Sequence, residues 1–145
     1  MILKKWQDLI IQRQTISCRR WSTMNDFFHA VRNFLLEYLP NQRSFSENTV
    51  RSYRQALNLF ILYLRTEQKL TIKQIRFDTL NREMILNFLD WLETDRHCGT
   101  STRNQRLMVL RSFFDYVGML DCSQIALSVA VQNVPLKAAQ GKVVE

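Results

Sequence analysis

The chain has 145 residues, and its 20 Lys and Arg against 13 Asp and Glu give a net charge of +7. With 46% apolar residues, three Gly and two Pro, it is neither a disordered polycation nor a turn-rich β-sandwich, and the composition indicates a compact helical protein. Arg outnumbers Lys by 14 to 6, and Arg is suited to bidentate contacts with phosphate and guanine. Basic charge alone fits a nucleic acid, an anionic membrane surface or an acidic protein partner.

The sequence also argues against membrane insertion, secretion and metal binding. No run of about 18 apolar residues occurs, and Asp8 and Gln12 interrupt the short apolar stretch at the start. Three widely spaced cysteines without a CxxC pair are typical of free thiols in a reducing cytoplasm. They are Cys18, Cys98 and Cys122. His97 beside Cys98 has no second ligand pair, so we expect no metal and no other cofactor.

The first 24 residues differ from the rest of the chain. They carry five cationic residues against Asp8 alone, a local charge of +4. We interpret residues 1–24 as a basic N-terminal extension. It is either an additional DNA-binding arm or an upstream extension before a natural start at Met24, and the sequence leaves both open.

Apolar residues at three- and four-residue spacing predict the next three helices. The first spans about residues 25–39 and is ended by Pro40. Ser46 caps the second, over about residues 47–67. A link at 71–79 rich in β-branched residues is expected to be extended. The third helix, capped by Thr79 or Asn81, reaches about Asp95 and is broken by residues 97–99.

The same periodicity predicts a fourth helix, capped by Thr100, Ser101 or Thr102, which runs to Val117 and is stopped by Gly118. A short fifth helix over about residues 123–133 precedes Pro135. The expected fold is therefore all-α, a four-helix bundle with a short fifth helix. Its helical domain spans residues 25–134, and residues 135–145 have the character of a linker.

Two helical strings carry a resemblance to a known family. They are SENTVRSYRQALNLFILYL, residues 46–64, and STRNQRLMVLRSFFDYV, residues 101–117. Both resemble the N-terminal core-binding (SAM-like) domain of tyrosine recombinases of the phage-integrase type. That family has a T-x-x-x-Y-x-x-x-L-x-x-F helix and a later T-x-N-R-x-L-x-x-L-R-x-F-F-x-Y helix. The resemblance covers about residues 25–135, and Gln105 departs from it, where the family often has a second Arg.

The resemblance implies a helical domain that clamps one face of duplex DNA, with its second and fourth helices against the major groove. A separate C-terminal catalytic domain would clamp the other face and carry the chemistry. We expect the linker toward that domain to leave near Pro135, and the domain itself to be absent from this chain. The implied partners are a double-stranded recombination half-site, the catalytic domain and other recombinase protomers, with no membrane. The implied location is the bacterial cytoplasm, at the nucleoid when DNA is bound.

We expect no catalysis by this chain alone. Strand exchange of this type needs a Tyr nucleophile and a cluster of cationic groups around the phosphate. A literal His-x-x-Arg match exists at His29 and Arg32, but His29 lies among core aromatics of the first helix. Tyr63 falls on the buried side of the second helix. We therefore predict no catalytic residues.

On the second helix, polar residues gather opposite the apolar stripe, where they fit base edges and phosphates. The predicted DNA contacts there are Asn48, Thr49, Arg51, Ser52, Arg54 and Gln55. An ordinary solvated face is the alternative. Against it, this face carries no acidic residue beyond Glu47 at the cap.

On the fourth helix, the first turns carry hydroxyls, amides and arginines next to free N–H groups, a natural phosphate site. The predicted contacts there are Ser101, Thr102, Arg103, Asn104, Gln105, Arg106 and Arg111. Asn104 and Gln105 are expected to reach bases, while Arg103 and Arg106 leave by the helix end to hold phosphates. Arg111 either contacts DNA or pairs with Asp115 one turn on.

Two other classes of function remain open. The arginine face could meet an acidic protein, which would make the chain a helical protein-interaction module. A helix-turn-helix transcriptional regulator is disfavoured, because the link between the second and third helices is too long for that motif. The charge distribution favours DNA, since residues 99–117 carry +2 whereas residues 69–98 sum to zero.

Overall fold

The structure, a computed structural model, describes residues 26–138. The predicted N-terminal extension and the last part of the linker lie outside this range. Within it the fold is all-α, as predicted, with five α-helices and no strand. The helices are α1 (Asp26–Asn33), α2 (Glu47–Thr66), α3 (Arg82–Thr94), α4 (Thr100–Leu120) and α5 (Ile125–Gln132).

Helix α1 continues directly into a π-helix, Phe34–Gln42. The prediction that Pro40 ends this helix is therefore wrong, since Pro40 lies inside the π-helical segment. In an α-helix the ring of Pro40 would clash with the carbonyl four residues earlier. The wider π-turn changes that register, and Arg43 N donates to Tyr38 O at 2.9 Å, five residues back. Ser44, with φ of 56°, then turns the chain toward α2.

Helix α2 begins and ends close to the predicted positions. The Ser46 hydroxyl accepts a hydrogen bond from Thr49 N at 3.2 Å, which confirms the predicted cap. Most of the apolar side chains at three- and four-residue spacing along α2 are buried, while Tyr53 is half-buried. The buried members are Val50, Leu57, Phe60, Ile61 and Leu64.

The link between α2 and α3 is not extended, contrary to the prediction from its β-branched residues. It forms two 3₁₀ turns, Ile72–Gln74 and Phe77–Thr79. Side chains close both turns, because Thr71 N donates to the Gln74 side chain at 2.9 Å and Arg76 N to the Thr79 hydroxyl at 3.2 Å. Local side-chain hydrogen bonds thus override strand propensity.

The predicted cap alternatives hold for α3 and are wrong for α4. Asn81, not Thr79, caps α3 and accepts from Met84 N at 2.9 Å. Helix α3 ends before His97, whose φ of 57° reverses the chain. Gly99 is the N-cap of α4, so the three predicted caps lie inside the helix.

Gly118 does not stop α4, which continues to Leu120. Its role is packing, since a Cβ at this position would lie 3.2 Å from the Cβ of Ser128 on α5. Glycine therefore allows α5 to lie close against the end of α4. A sequence pattern cannot separate this use of glycine from a helix stop, because the difference depends on a residue ten positions away.

Replacing Gly118 with Val is expected to lower the free energy of unfolding by about 1–3 kcal/mol, the usual cost of overpacking. The added methyl groups would push Ser128 and α5 away from α4. Gly99→Ser is the matched control, because nothing lies within 4 Å of a Cβ there and the new hydroxyl can cap α4. Urea unfolding measures both variants. Equal stability of the G118V variant and the wild-type chain would contradict the packing role.

An aromatic cluster centred on Phe113 of α4 joins the elements into one core. The Phe113 ring lies 5.3 Å from that of Phe34, 5.8 Å from that of Phe27 and 6.5 Å from that of Phe77. These rings come from the π-helix, α1 and the second 3₁₀ turn. Beside the cluster, burial raises the pKa of Tyr116 to about 12.

Candidate nucleic-acid interface

The predicted DNA contacts on α2 lie at its surface. The exposed members are Asn48, Thr49, Arg51 and Gln55, and the half-buried members are Ser52 and Arg54. Asn48 Oδ1 accepts from the Arg51 guanidinium at 3.4 Å. The Thr49 hydroxyl is 3.0 Å from that of Ser46. The outer face of α2 thus presents amides and guanidinium groups together at the start of the helix.

The arginines of this face have no acidic partner among residues 26–138. The two ion pairs in that range join Arg76 to Asp78 and Lys137 to Glu93. Arg51 and Arg54 take part in neither. A guanidinium without a neighbouring carboxylate has donors that can bind an anion from outside.

The outer part of the α4 N-terminus has the same chemistry. Ser101 and Gln105 are exposed, and Thr102 and Arg106 are half-buried. Arg106 Nη1 donates to Gln105 Oε1 at 3.1 Å. The N-cap, Gly99, supplies no side-chain acceptor for the first turn. These residues remain available for an external ligand.

Arg103 does not leave by the end of α4, so that expectation is wrong. It is only 7% exposed. Its Nη1 donates to Asn104 Oδ1 at 2.9 Å and to Pro135 O at 3.4 Å. The chain that follows α5 thus contacts this arginine through the Pro135 carbonyl.

Asn104 and Arg111 also contact the chain after α5. Asn104 Nδ2 donates to Lys137 O at 2.8 Å, and Asn104 Oδ1 accepts from Lys137 N at 3.0 Å. Arg111 donates to Val134 O rather than pairing with Asp115. Lys137 was not predicted as a partner, because no local signal in the sequence links it to residues more than thirty positions earlier.

The literal His-x-x-Arg match, His29 and Arg32, lies on α1, and Tyr63 lies on α2. His29 is half-buried, and burial lowers its pKa, with nearby Arg32 acting in the same direction and Asp26 opposing. Tyr63 is buried at 3% exposure, and its hydroxyl accepts from Gln68 Nε2 at 2.7 Å. The Tyr63 ring is therefore part of the core, and its hydroxyl is hydrogen-bonded to Gln68 just after the end of α2.

The described range has neither a cluster of metal-binding side chains nor a membrane-spanning helix. Residues 26–138 hold no group of three or more His, Cys, Asp or Glu side chains that could bind a metal ion. Cys98 and Cys122 are free thiols. No helix in the described part is long and apolar enough to span a bilayer.

Comparison with known families matches residues 31–118 to the phage integrase N-terminal SAM-like domain. This range runs from α1 to Gly118 near the end of α4, and it includes both polar helix faces. The chain belongs to this family. The resemblance inferred from residues 46–64 and 101–117 is thereby confirmed.

Curated relatives carry recombinase names. Over 109 residues, 75% of this chain, it is 34% identical to a Sinorhizobium fredii protein described as an integrase/recombinase, y4rD. It is 31% identical over 96 residues to the tyrosine recombinase XerD of Listeria innocua. These alignments cover 39% and 29% of the two relatives, respectively. No solved structure gives a significant match.

Proposed function

We propose that this domain binds duplex DNA in a sequence-specific manner, as the core-binding domain of a site-specific tyrosine recombinase or integrase. The observation that carries the proposal is the outer face of α2. There Asn48, Arg51 and Gln55 are exposed together, and Arg51 has no ion pair within the described range. Membership of the integrase family supports the same function.

On both helix faces, arginines would bind phosphates and amides would bind bases. Guanidinium groups of Arg51, Arg54 and Arg106 would hold backbone phosphates and set the register of the domain on the duplex. The amides of Asn48 and Gln105 would read base edges, since Asn and Gln bind adenine in a bidentate manner. Affinity would then come mainly from phosphate contacts, and sequence preference from the amides.

Within this proposal the described domain binds and does not cleave. A phosphodiester cleavage of this type needs an accessible Tyr nucleophile beside a cationic cluster. Tyr63 is buried and its hydroxyl is occupied. The chemistry would belong to a catalytic domain on the other face of the duplex, and other recombinase protomers would share the same DNA. The place of action would be the bacterial nucleoid.

A mobility-shift titration tests this function. It uses duplexes that have been enriched from a random pool by binding to the wild-type chain. We expect a shift at about 50 mM salt that weakens steeply toward about 200 mM, because each phosphate contact releases counterions. No shift at the lower salt concentration would overturn DNA binding. It would favour the helical protein-interaction module, whose arginine face meets an acidic partner.

A further inference from the structure

The chain after α5 returns along α4 toward the N-terminal end of that helix. We call residues 133–137 the return segment. Val134 O accepts from Arg111, Pro135 O accepts from Arg103 about two turns earlier on α4, and Lys137 contacts Asn104. Val134 is fully buried. The return segment is therefore packed against α4 by an apolar anchor and by main-chain hydrogen bonds.

Asn104 pairs with the main chain of Lys137 in both directions. Its Nδ2 donates to Lys137 O at 2.8 Å and its Oδ1 accepts from Lys137 N at 3.0 Å. The Lys137 ammonium reaches α3, where it lies 2.8 Å from Glu93. Since both functions of the Asn104 amide are used, this side chain reads no base edge while the return segment is in place.

We propose that Arg103, Asn104 and Arg111 are positioning residues that clasp the return segment on α4 while the domain is on DNA. The clasp sets the point at which the chain leaves the domain, at the first turns of α4. This point lies beside Gln105 and Arg106, which hydrogen-bond to each other at the surface rather than to the return segment. The part of the inference that concerns DNA rests on the proposed function.

We expect the clasp to stay closed on DNA, because opening it would break hydrogen bonds and expose a buried side chain. Arg103 is 7% exposed and relies on Asn104 and on Pro135 O for its Nη1 hydrogen bonds. Release would remove the Pro135 O acceptor from Arg103 and would break both hydrogen bonds between Asn104 and the main chain of Lys137. Release would also bring the fully buried Val134 into water. A base edge offers Asn104 two hydrogen bonds, no more than the two it would lose.

Amide hydrogen exchange of Lys137 tests the clasp directly. In the Asn104→Ala variant we expect this exchange to become about tenfold faster, because the amide loses its acceptor and local opening becomes easier. Asn104→Asp keeps an acceptor for the amide, so its exchange should stay closer to that of the wild-type chain. Asn48→Ala removes the same side chain from α2 and should leave the Lys137 amide unchanged. Unchanged exchange in the N104A variant would overturn the clasp.

Duplex binding of the same variants tests the positioning role. We expect the N104A variant to bind the enriched duplex within about twofold of the wild-type chain, since a positioning residue makes no contact with bases. We also expect the wild-type Lys137 amide to stay protected at saturating duplex. Loss of that protection on DNA would overturn the positioning role. A loss of affinity in the N104A variant as large as that in the Arg106→Ala variant would also overturn it. If the chain binds no duplex, exchange in the free protein still decides whether the clasp exists.

Discussion

Replacing Phe113 with Ala is expected to lower the free energy of unfolding by about 3–5 kcal/mol. The Phe113 ring is fully buried and contacts rings from α1, the π-helix and the 3₁₀ turn before α3. Its loss removes buried apolar surface and leaves a cavity that elements on three sides cannot all close. A domain of this size has a total stability of roughly 5–15 kcal/mol, so the variant should be close to unfolding at ambient temperature.

Urea unfolding followed by far-ultraviolet circular dichroism measures this effect, with Phe113→Leu as the conservative variant. Phe45→Ala is the matched control. Phe45 is only half-buried and lies beside Tyr53, with the Arg43 guanidinium 4.9 Å from its ring centre. Its removal should cost markedly less. If the F45A and F113A variants lose the same stability, Phe113 is not the centre of the core.

Removing both Arg51 and Arg106 is expected to weaken duplex binding by about a hundredfold at low salt. A hydrogen bond to a charged group contributes about 1.5 kcal/mol, or roughly tenfold in affinity, and the two residues lie on different helices, so their effects should add. The slope of log affinity against log salt should fall in magnitude by about 2, because two phosphate contacts are lost. Mobility-shift titrations of Arg51→Ala, Arg106→Ala and the double variant at several salt concentrations measure both quantities.

A second double variant, Arg65→Ala with Arg82→Ala, controls for net charge. Both arginines are exposed, one in the last turn of α2 and the other in the first turn of α3. The control loses the same two charges but leaves both candidate faces intact. We expect its affinity to fall by less than about threefold, as for distant screened charges. Equal losses in the two double variants would show that total charge, rather than the two faces, governs binding.

Helix positions and the family were predictable because their signals are local. A 3.6-residue apolar period requires only that one side of a helix be buried, and Ser46 caps α2 through a contact three residues away. The strings at 46–64 and 101–117 led to the family that the comparison confirmed. The outward position of Arg51 and Gln55 followed from the same helical geometry.

Errors arose where one residue type serves two purposes. Proline usually ends an α-helix, yet Pro40 lies inside a π-helix here. Gly118 looks like a stop, yet it makes room for Ser128. Each choice depends on what packs against the residue, and helical periodicity does not contain that information.

The roles of Arg103, Asn104 and Arg111 show the same limit at the candidate interface. The sequence placed them on α4 beside Gln105 and Arg106, and by residue type all five suit DNA. Only the tertiary structure separates them, because α5 turns the chain back over one side of α4 and not the other. Local sequence thus determined an all-α integrase-type domain with arginines at two helix faces. Long-range packing decided which of those side chains bind the protein's own backbone, since hydrogen bonds across more than twenty residues leave no periodic trace.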